Sequence, residues 1–143
     1  MSGGIINLNT GATAVPAVGS GSSNNTLNIN NDLTLDVTNT RASESDDKPI
    51  STVGLVSGTL GGDIKFIDGT NNLSGTVDVS GGTLAANNSI HMSGGIINLN
   101  TGATAVPSVN SGSSNNTLNF NLGSGNTLTT DSVNTRTNEA ATK

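Results

Sequence analysis

The sequence predicts an all-β chain wound as a parallel β-helix (β-solenoid), and three observations lead there. Short apolar-alternating runs sit between Gly or Asn turn signals at intervals of about 8 to 13 residues. The chain repeats itself on two length scales. It also lacks the large side chains that a conventional core needs, with two Phe and no Tyr, Trp or Cys. These features fit about seven short coils of ~20 residues each, stacked so that neighbouring coils share one narrow core. A β-sandwich is the alternative reading of the same short strands.

Taken in order, residues 1–30 open with "SGGIINLNTG", in which alternate residues face opposite sides of a strand. The same stretch returns from Met92 to Asn121 with 27 identities, the changes being Ala17 to Ser108, Gly19 to Asn110 and Ile29 to Phe120. After a four-residue insertion, "LGSG" at 122–125, the likeness resumes, "NDLTLDVTNTRASE" from Asn31 pairing with "NTLTTDSVNTRTNE" from Asn126. The internal repeat therefore covers 1–44 and 92–139 within a single solenoid segment, 1–143. The stretch 39–52, "NTRASESDDKPIST", breaks the pattern with charge and a proline and is expected as an exposed loop. Residues 137–143 are expected to fray.

Residues 45–91 occur once but repeat on a finer scale. "GGDIKFIDGT", "SGTVDVSGGT" and "SGGIINLNTG" place Ile64 with Phe66, Val77 with Val79 and Ile97 with Leu99 on one side of three strands. "GTVDVS" at 75–80 aligns with "GIINLN" at 95–100 at an offset of 20, about one coil. No apolar stripe holds helical spacing over three turns. In such a stack Asn side chains are expected to hydrogen-bond to their counterparts above and below, with Gly at corners that need positive φ.

Composition excludes several functions. The net charge is −5 from few groups, and Arg41, Lys48, Lys65, Arg136 and Lys143 are scattered, so no basic patch serves nucleic acid or anionic lipid. No apolar run approaches the ~20 residues needed to span a bilayer as a helix. Neither thiolate metal sites nor disulfides can form without Cys. No catalytic, cofactor-binding or metal-ligating residue is assigned.

The titratable residues fit solvated roles better than chemistry. His91 is the one histidine, without a carboxylate beside it in sequence, and reads as a surface residue. Asp63, Asp68 and Asp78 fall on neighbouring coils, but they match neither a calcium nonapeptide pattern nor the paired carboxylates of a glycosidase. Asp46 and Asp47 in "SESDDK" read as a solvated loop. Ser is abundant, but no G-x-S-x-G elbow accompanies the single His. Sequons at Asn24, Asn72, Asn87 and Asn115 arise by composition in so Asn-rich a chain.

The stretch "GTVDVSGGTLAANNSIHMSGGIINLNTGATAV" resembles the passenger regions of bacterial autotransporters, above all the repeat-bearing surface antigens of rickettsial type. The likeness spans most of residues 50–130 and lies in Gly-Gly-Thr turns and Asn-rich alternation. It implies that the β-helix is right-handed and lies outside the cell, at the bacterial surface. It carries no catalytic residues with it. The expected function is a non-catalytic structural and adhesive rod whose partner is a host or neighbouring-cell surface component. A self-assembling filament subunit, joined end to end, is the alternative. A β-helical carbohydrate-active enzyme rests only on the three aspartates, and an ice-binding face would need a regular Thr-x-Thr rank that "TNT" and "TLTT" do not supply.

Overall fold

The computed structural model describes residues 1–16, 18, 24–40, 50–68, 71–85, 88–100, 108–111 and 115–121. These contain no helix, and their strands stack in parallel as a β-solenoid of about three full turns. Six strands form the tallest stack: β1 (Ile5–Leu8), β2 (Thr26–Asn30), β4 (Thr52–Ser57), β8 (Thr76–Val79), β11 (Ile96–Asn100) and β13 (Thr117–Asn121). A second face stacks β3 (Val37–Thr40), β6 (Ile64–Asp68), β10 (Ser89–Met92) and β12 (Ser108–Ser111). The third and narrowest pairs β5 (Thr59–Leu60) with β9 (Thr83–Leu84), with Leu33 bridged to Leu60 one turn earlier. Among the described residues a single antiparallel excursion departs from this plan, β7 (Asn71–Asn72) folding back on the end of β6.

The three complete turns start at Thr26, Thr52 and Thr76, each visiting all three faces before returning. Along the first face Ile5 stands opposite Thr26, then Thr52, Thr76, Ile96 and Thr117. The numbering shows the turns from Thr26 and from Thr52 to be longer than those before and after them. The expected coil length thus holds toward the ends of the stack and is exceeded in the middle. Seven coils were expected; about three complete turns lie within the described residues, with partial turns on either side. Parallel stacking of every face rules out the antiparallel β-sandwich.

Strand alternation builds the core. On the first face one inward rank runs Leu27, Val53, Val77 and Ile97, and the next runs Ile29, Leu55, Val79 and Leu99, all buried. The second face adds Val37, Ile64 and Ile90 with Phe66 and Met92, and the third adds Leu33 and Leu60. Each pairing read from sequence, Ile64 with Phe66, Val77 with Val79 and Ile97 with Leu99, points inward as expected. No single turn could bury these side chains alone; stacking supplies the missing wall.

Two glycines show how so narrow a core closes. A Cβ on Gly75 would lie 2.5 to 2.6 Å from three carbons of the Phe66 ring, so the ring packs directly onto the backbone at the start of β8. Gly58, between β4 and β5, has φ of 78° and sits against the main chain of Asn31 and Asp32 one turn away. A side chain there would be strained and would also meet backbone. All positive-φ residues among those described are glycines.

Four residues of the stretch 39–52, expected as an exposed loop, are instead part of the stack. Asn39 and Thr40 belong to β3, and Ile50 is buried in the core, because the chain must re-enter the stack before Thr52 begins β4. Residues 41–49 lie outside the described set, as do the tail at 137–143 and the second half of the repeat from 122.

Candidate functional site

Three ordered side-chain arrays are the candidate sites, two on the outer surface and one at a corner of the stack. The first is an amide ladder on the six-stranded face. Asn28 Nδ2 donates to Asn7 Oδ1 at 3.0 Å and Asn30 Nδ2 to Asn9 Oδ1 at 3.1 Å. In the second copy of the repeat Asn119 Nδ2 donates to Asn98 Oδ1 at 2.9 Å and Asn121 Nδ2 to Asn100 Oδ1 at 3.2 Å. Asn98 in turn donates to Asp78 Oδ1 at 2.6 Å. The ladder is therefore the expected Asn stack, with Asp78 entering it as an acceptor. Beside it the register aligns Thr26, Thr52 and Thr76 in one outward rank, followed by Ile96 and Thr117.

The second array clamps the corner before the first face. Asn25 is buried; its Oδ1 accepts from Gly4 N at 2.9 Å and its Nδ2 donates to the Met1 carbonyl at 3.3 Å. In the second copy Asn116 does the same, accepting from Gly95 N at 3.0 Å and donating to the Met92 carbonyl at 3.4 Å. The two copies thus agree in hydrogen bonding as well as in sequence.

The third array is ionic and lies on the second face. Asp36, Asp63 and Ser89 each precede a core residue of one inward rank, Val37, Ile64 and Ile90. Asp36 Oδ1 accepts from Asp63 N at 2.9 Å and Asp63 Oδ1 from Ser89 N at 2.8 Å. The other carboxylate oxygens meet the next turn's outward rank: Lys65 Nζ lies 2.5 Å from Asp36 Oδ2, and His91 Nε2 lies 3.1 Å from Asp63 Oδ2. One arrangement is thus built twice, a carboxylate capping a backbone N–H with one oxygen and a cationic or polar group with the other. The Lys65 contact, helped by the N–H of Asp63, holds the Asp36 carboxyl below the usual carboxylate range. The same contact raises the Lys65 ammonium above its ordinary value.

This geometry corrects the reading of His91 as a residue without a carboxylate neighbour. Its partner, Asp63, is 28 residues earlier in sequence but one turn away in space. Ser89 Oγ also lies near, 3.0 Å from the same Nε2. A Ser-His-Asp relay needs the hydroxyl and the carboxylate on opposite ring nitrogens, so that one accepts the proton while the other is held. Here both partners face one nitrogen. This trio can orient the imidazole and cap the start of β10, but it cannot act as a relay.

Asp63 and Asp78 occupy consecutive turns, as expected, but on different faces, so they do not form a carboxylate pair. Asp68 ends β6, while Asp46, Asp47 and the Asn87 sequon lie outside the described residues. Among the described residues no three His, Cys, Asp or Glu side chains converge on a point that could hold a metal ion. The sequence reading missed Asn25 and Asn116, the middle residues of the sequons that start at Asn24 and Asn115. The signal was their place one residue before each "TLN" strand, with a glycine 21 positions earlier. It also missed the run "DVT", "DIK", "SIH" at 36, 63 and 89, whose members follow one another at single-turn spacing.

Comparison with family models, with curated proteins and with solved structures finds no match. The functional reading accordingly rests on the repeat, the stack and these three arrays.

Proposed function

We propose that this chain is a non-catalytic structural and adhesive segment of a bacterial surface protein. It is a stiff rod that lengthens by whole units and presents its outer faces to a host or neighbouring-cell surface component. In this reading the stack is right-handed and its coils number about seven, partial turns included. The observation that carries it is the agreement of the two repeat copies at the level of individual hydrogen bonds. The Asn25 and Asn116 corners and the Asn7–Asn28 and Asn98–Asn119 rungs are built alike. A unit can therefore be added without designing a new interface. Selection for length fits that property; selection for a unique catalytic pocket does not need it.

From Ile5 to its counterpart Ile96 the chain makes four turns, which at a strand spacing of ~4.8 Å is a rise of ~19 Å per unit. The rungs of neutral amides and hydroxyls give the rod a polar, weakly charged surface suited to many weak contacts. The test is small-angle scattering on the full chain and on a chain with one further copy of residues 31–121 inserted after Asn121. The rod reading expects the maximum dimension to grow by ~19 Å at constant cross-section. A growing cross-section, or a circular dichroism spectrum of random coil under native conditions, overturns it. Adhesion is read separately, as saturable binding of the labelled chain to intact cells; failure to saturate removes the adhesive half.

A further inference from the structure

We infer that the first face carries a saccharide site over Gly54, where a pyranose sets adjacent hydroxyls between Asn28 and Asp78 and lays its C–H groups on Val56. The inference names the chemistry of the partner that the adhesive reading leaves open, and it rests on that reading. Its first ground is a break in the amide ladder. The register aligns six outward positions, Asn7, Asn28, Gly54, Asp78, Asn98 and Asn119, and Gly54 alone has no side chain to make a rung. Asn28 donates its Nδ2 to Asn7, and its Oδ1 lies over the gap, 2.6 Å from where a Cβ on Gly54 would stand. Asp78, across the gap, accepts the Asn98 amide on Oδ1 and has no N–H to offer in return. Its Oδ2 and the Asn28 Oδ1 receive no hydrogen bond from a described residue. The gap is therefore flanked by acceptors on both sides and supplied with no donor.

The second ground is what surrounds the gap. Asn30 pairs with Ser57, so Val56 is the extra residue of a β-bulge, a device that re-aims a side chain. Val56 is 42% exposed, and its Cγ2 lies 3.8 Å from the same Cβ position on Gly54. An apolar methyl thus stands beside two acceptors on an otherwise polar face. Toward the other end of the strands Thr26, Thr52 and Thr76 stand in register, two residues before Asn28, Gly54 and Asp78. Each of their hydroxyls can donate or accept.

The donor set decides among ligands. A calcium ion takes about six to eight oxygens, and among the described residues no three His, Cys, Asp or Glu side chains converge. A guanidinium pairs best with both oxygens of one carboxylate, and Asn98 already holds one oxygen of Asp78. Adjacent hydroxyls of a sugar ring need what the gap supplies: acceptors on two sides, neighbouring hydroxyls, and an apolar patch for the ring C–H groups. Gly54 and Asp78 both fall in the part of the chain that occurs once per repeat unit, so a lengthened rod offers one such site per unit.

The test titrates free mannose, galactose and N-acetylglucosamine into the isotope-labelled full chain and follows its backbone amide resonances. Shifts centred on Gly54, Val56 and Asp78 are expected to saturate for at least one of these sugars, with a Kd on the order of 1 mM for so small a ligand on a shallow site. Asp78→Asn keeps the shape but replaces an acceptor with a donor, and is expected to weaken binding by roughly tenfold or more. Gly54→Asn combined with Asp78→Asn completes the ladder, the new amide meeting only the movable end of Asn28. That double variant is expected to unfold in urea no earlier than the parent and yet to lose the saturable shifts. The proposal is overturned if no sugar moves those amides at up to about 100 mM, or if either folded variant binds as the parent does. It is equally overturned if calcium chloride or methylguanidinium gives the saturable shifts and no sugar does. Binding of the labelled chain to intact cells separates the two readings. Saturable binding that the double variant retains removes the site and leaves the adhesive reading standing, whereas a parent that binds sugar at Gly54 but no cell keeps the site and removes its adhesive use.

Discussion

The contact between Phe66 and Gly75 gives the sharpest test of the packing. Gly75 has an ordinary φ, so alanine is tolerated by the backbone there, yet its methyl would lie 2.5 Å from two ring carbons of Phe66 and 2.6 Å from a third. Ordinary carbon contacts begin about 1 Å farther out, and the ring, 1% exposed, has core on its other side. Overpacking of this kind costs about 1 to 3 kcal/mol, so Gly75→Ala should destabilise by roughly that amount. Phe66→Ala removes the ring and leaves a cavity, a loss of about 3 to 5 kcal/mol. In that background the methyl at position 75 meets empty space, and Gly75→Ala becomes neutral or stabilising by up to about 1 kcal/mol through the unfolded chain. The two substitutions should therefore be non-additive by about 1 to 4 kcal/mol. Urea denaturation of the four proteins, followed by circular dichroism, measures this. Additivity within about 0.5 kcal/mol would refute direct ring-to-backbone packing.

Other outcomes follow from the same geometry. Gly58→Ala should lose about 2 kcal/mol or more, because a left-handed φ costs about 1 to 2 kcal/mol for an L-residue and the methyl also meets the Asn31 main chain. A denaturation midpoint unchanged from the parent would contradict it. Asn25→Ala strands the Gly4 N–H and the Met1 carbonyl and should cost about 1 to 3 kcal/mol. Faster hydrogen exchange at Gly4 should accompany that loss. For Asp36 and Lys65 the sign of the pH effect is fixed by the two shifts. The lowered Asp36 carboxyl contributes stability above its unfolded value, about 3.9, that is lost as acid carries the pH down through the folded value. The raised Lys65 contributes stability below its unfolded value, about 10.4, that is lost as the pH rises through the folded one. Since both side chains are partly exposed, the pair is worth about 0.2 to 1 kcal/mol, less in high salt. Lys65→Met should remove its share of both limbs; a pH profile identical to the parent's removes the pair from the account.

Much of the fold was legible because a solenoid writes its geometry locally. Alternation told which side chains enter the core, and the offset between "GTVDVS" and "GIINLN" matches the turn that the register of β8 and β11 closes. Stacked amides were legible too, since an outward Asn recurring at one strand position has its counterpart overhead. What local reading could not supply was the length of the other turns. The middle turns are longer, and without knowing by how much, Asp63 and His91 are merely 28 positions apart. The same gap hid the burial of Ile50, which sits beside a charged, proline-containing stretch yet has to seal the turn that Thr52 begins. The buried role of Asn25 was hard to read for another reason: its partners are main-chain atoms, so only the glycine 21 positions earlier marks it.

The near identity of the two repeat copies also bears on how the chain finds its own fold. β2 and β13 offer β1 almost the same surface, so side-chain chemistry scarcely tells β1 which of them to pair with. Sequence separation tells it instead. β2 follows β1 after a single turn, whereas β13 lies roughly five times as far along, and closing the longer loop costs about 1.5 kcal/mol more by chain entropy. Correct pairing is then chosen largely by which strand arrives first. The choice should favour growth by adding neighbouring turns, and a chain with many such units should be more prone to skipped or swapped turns when it is refolded all at once than when it emerges in order.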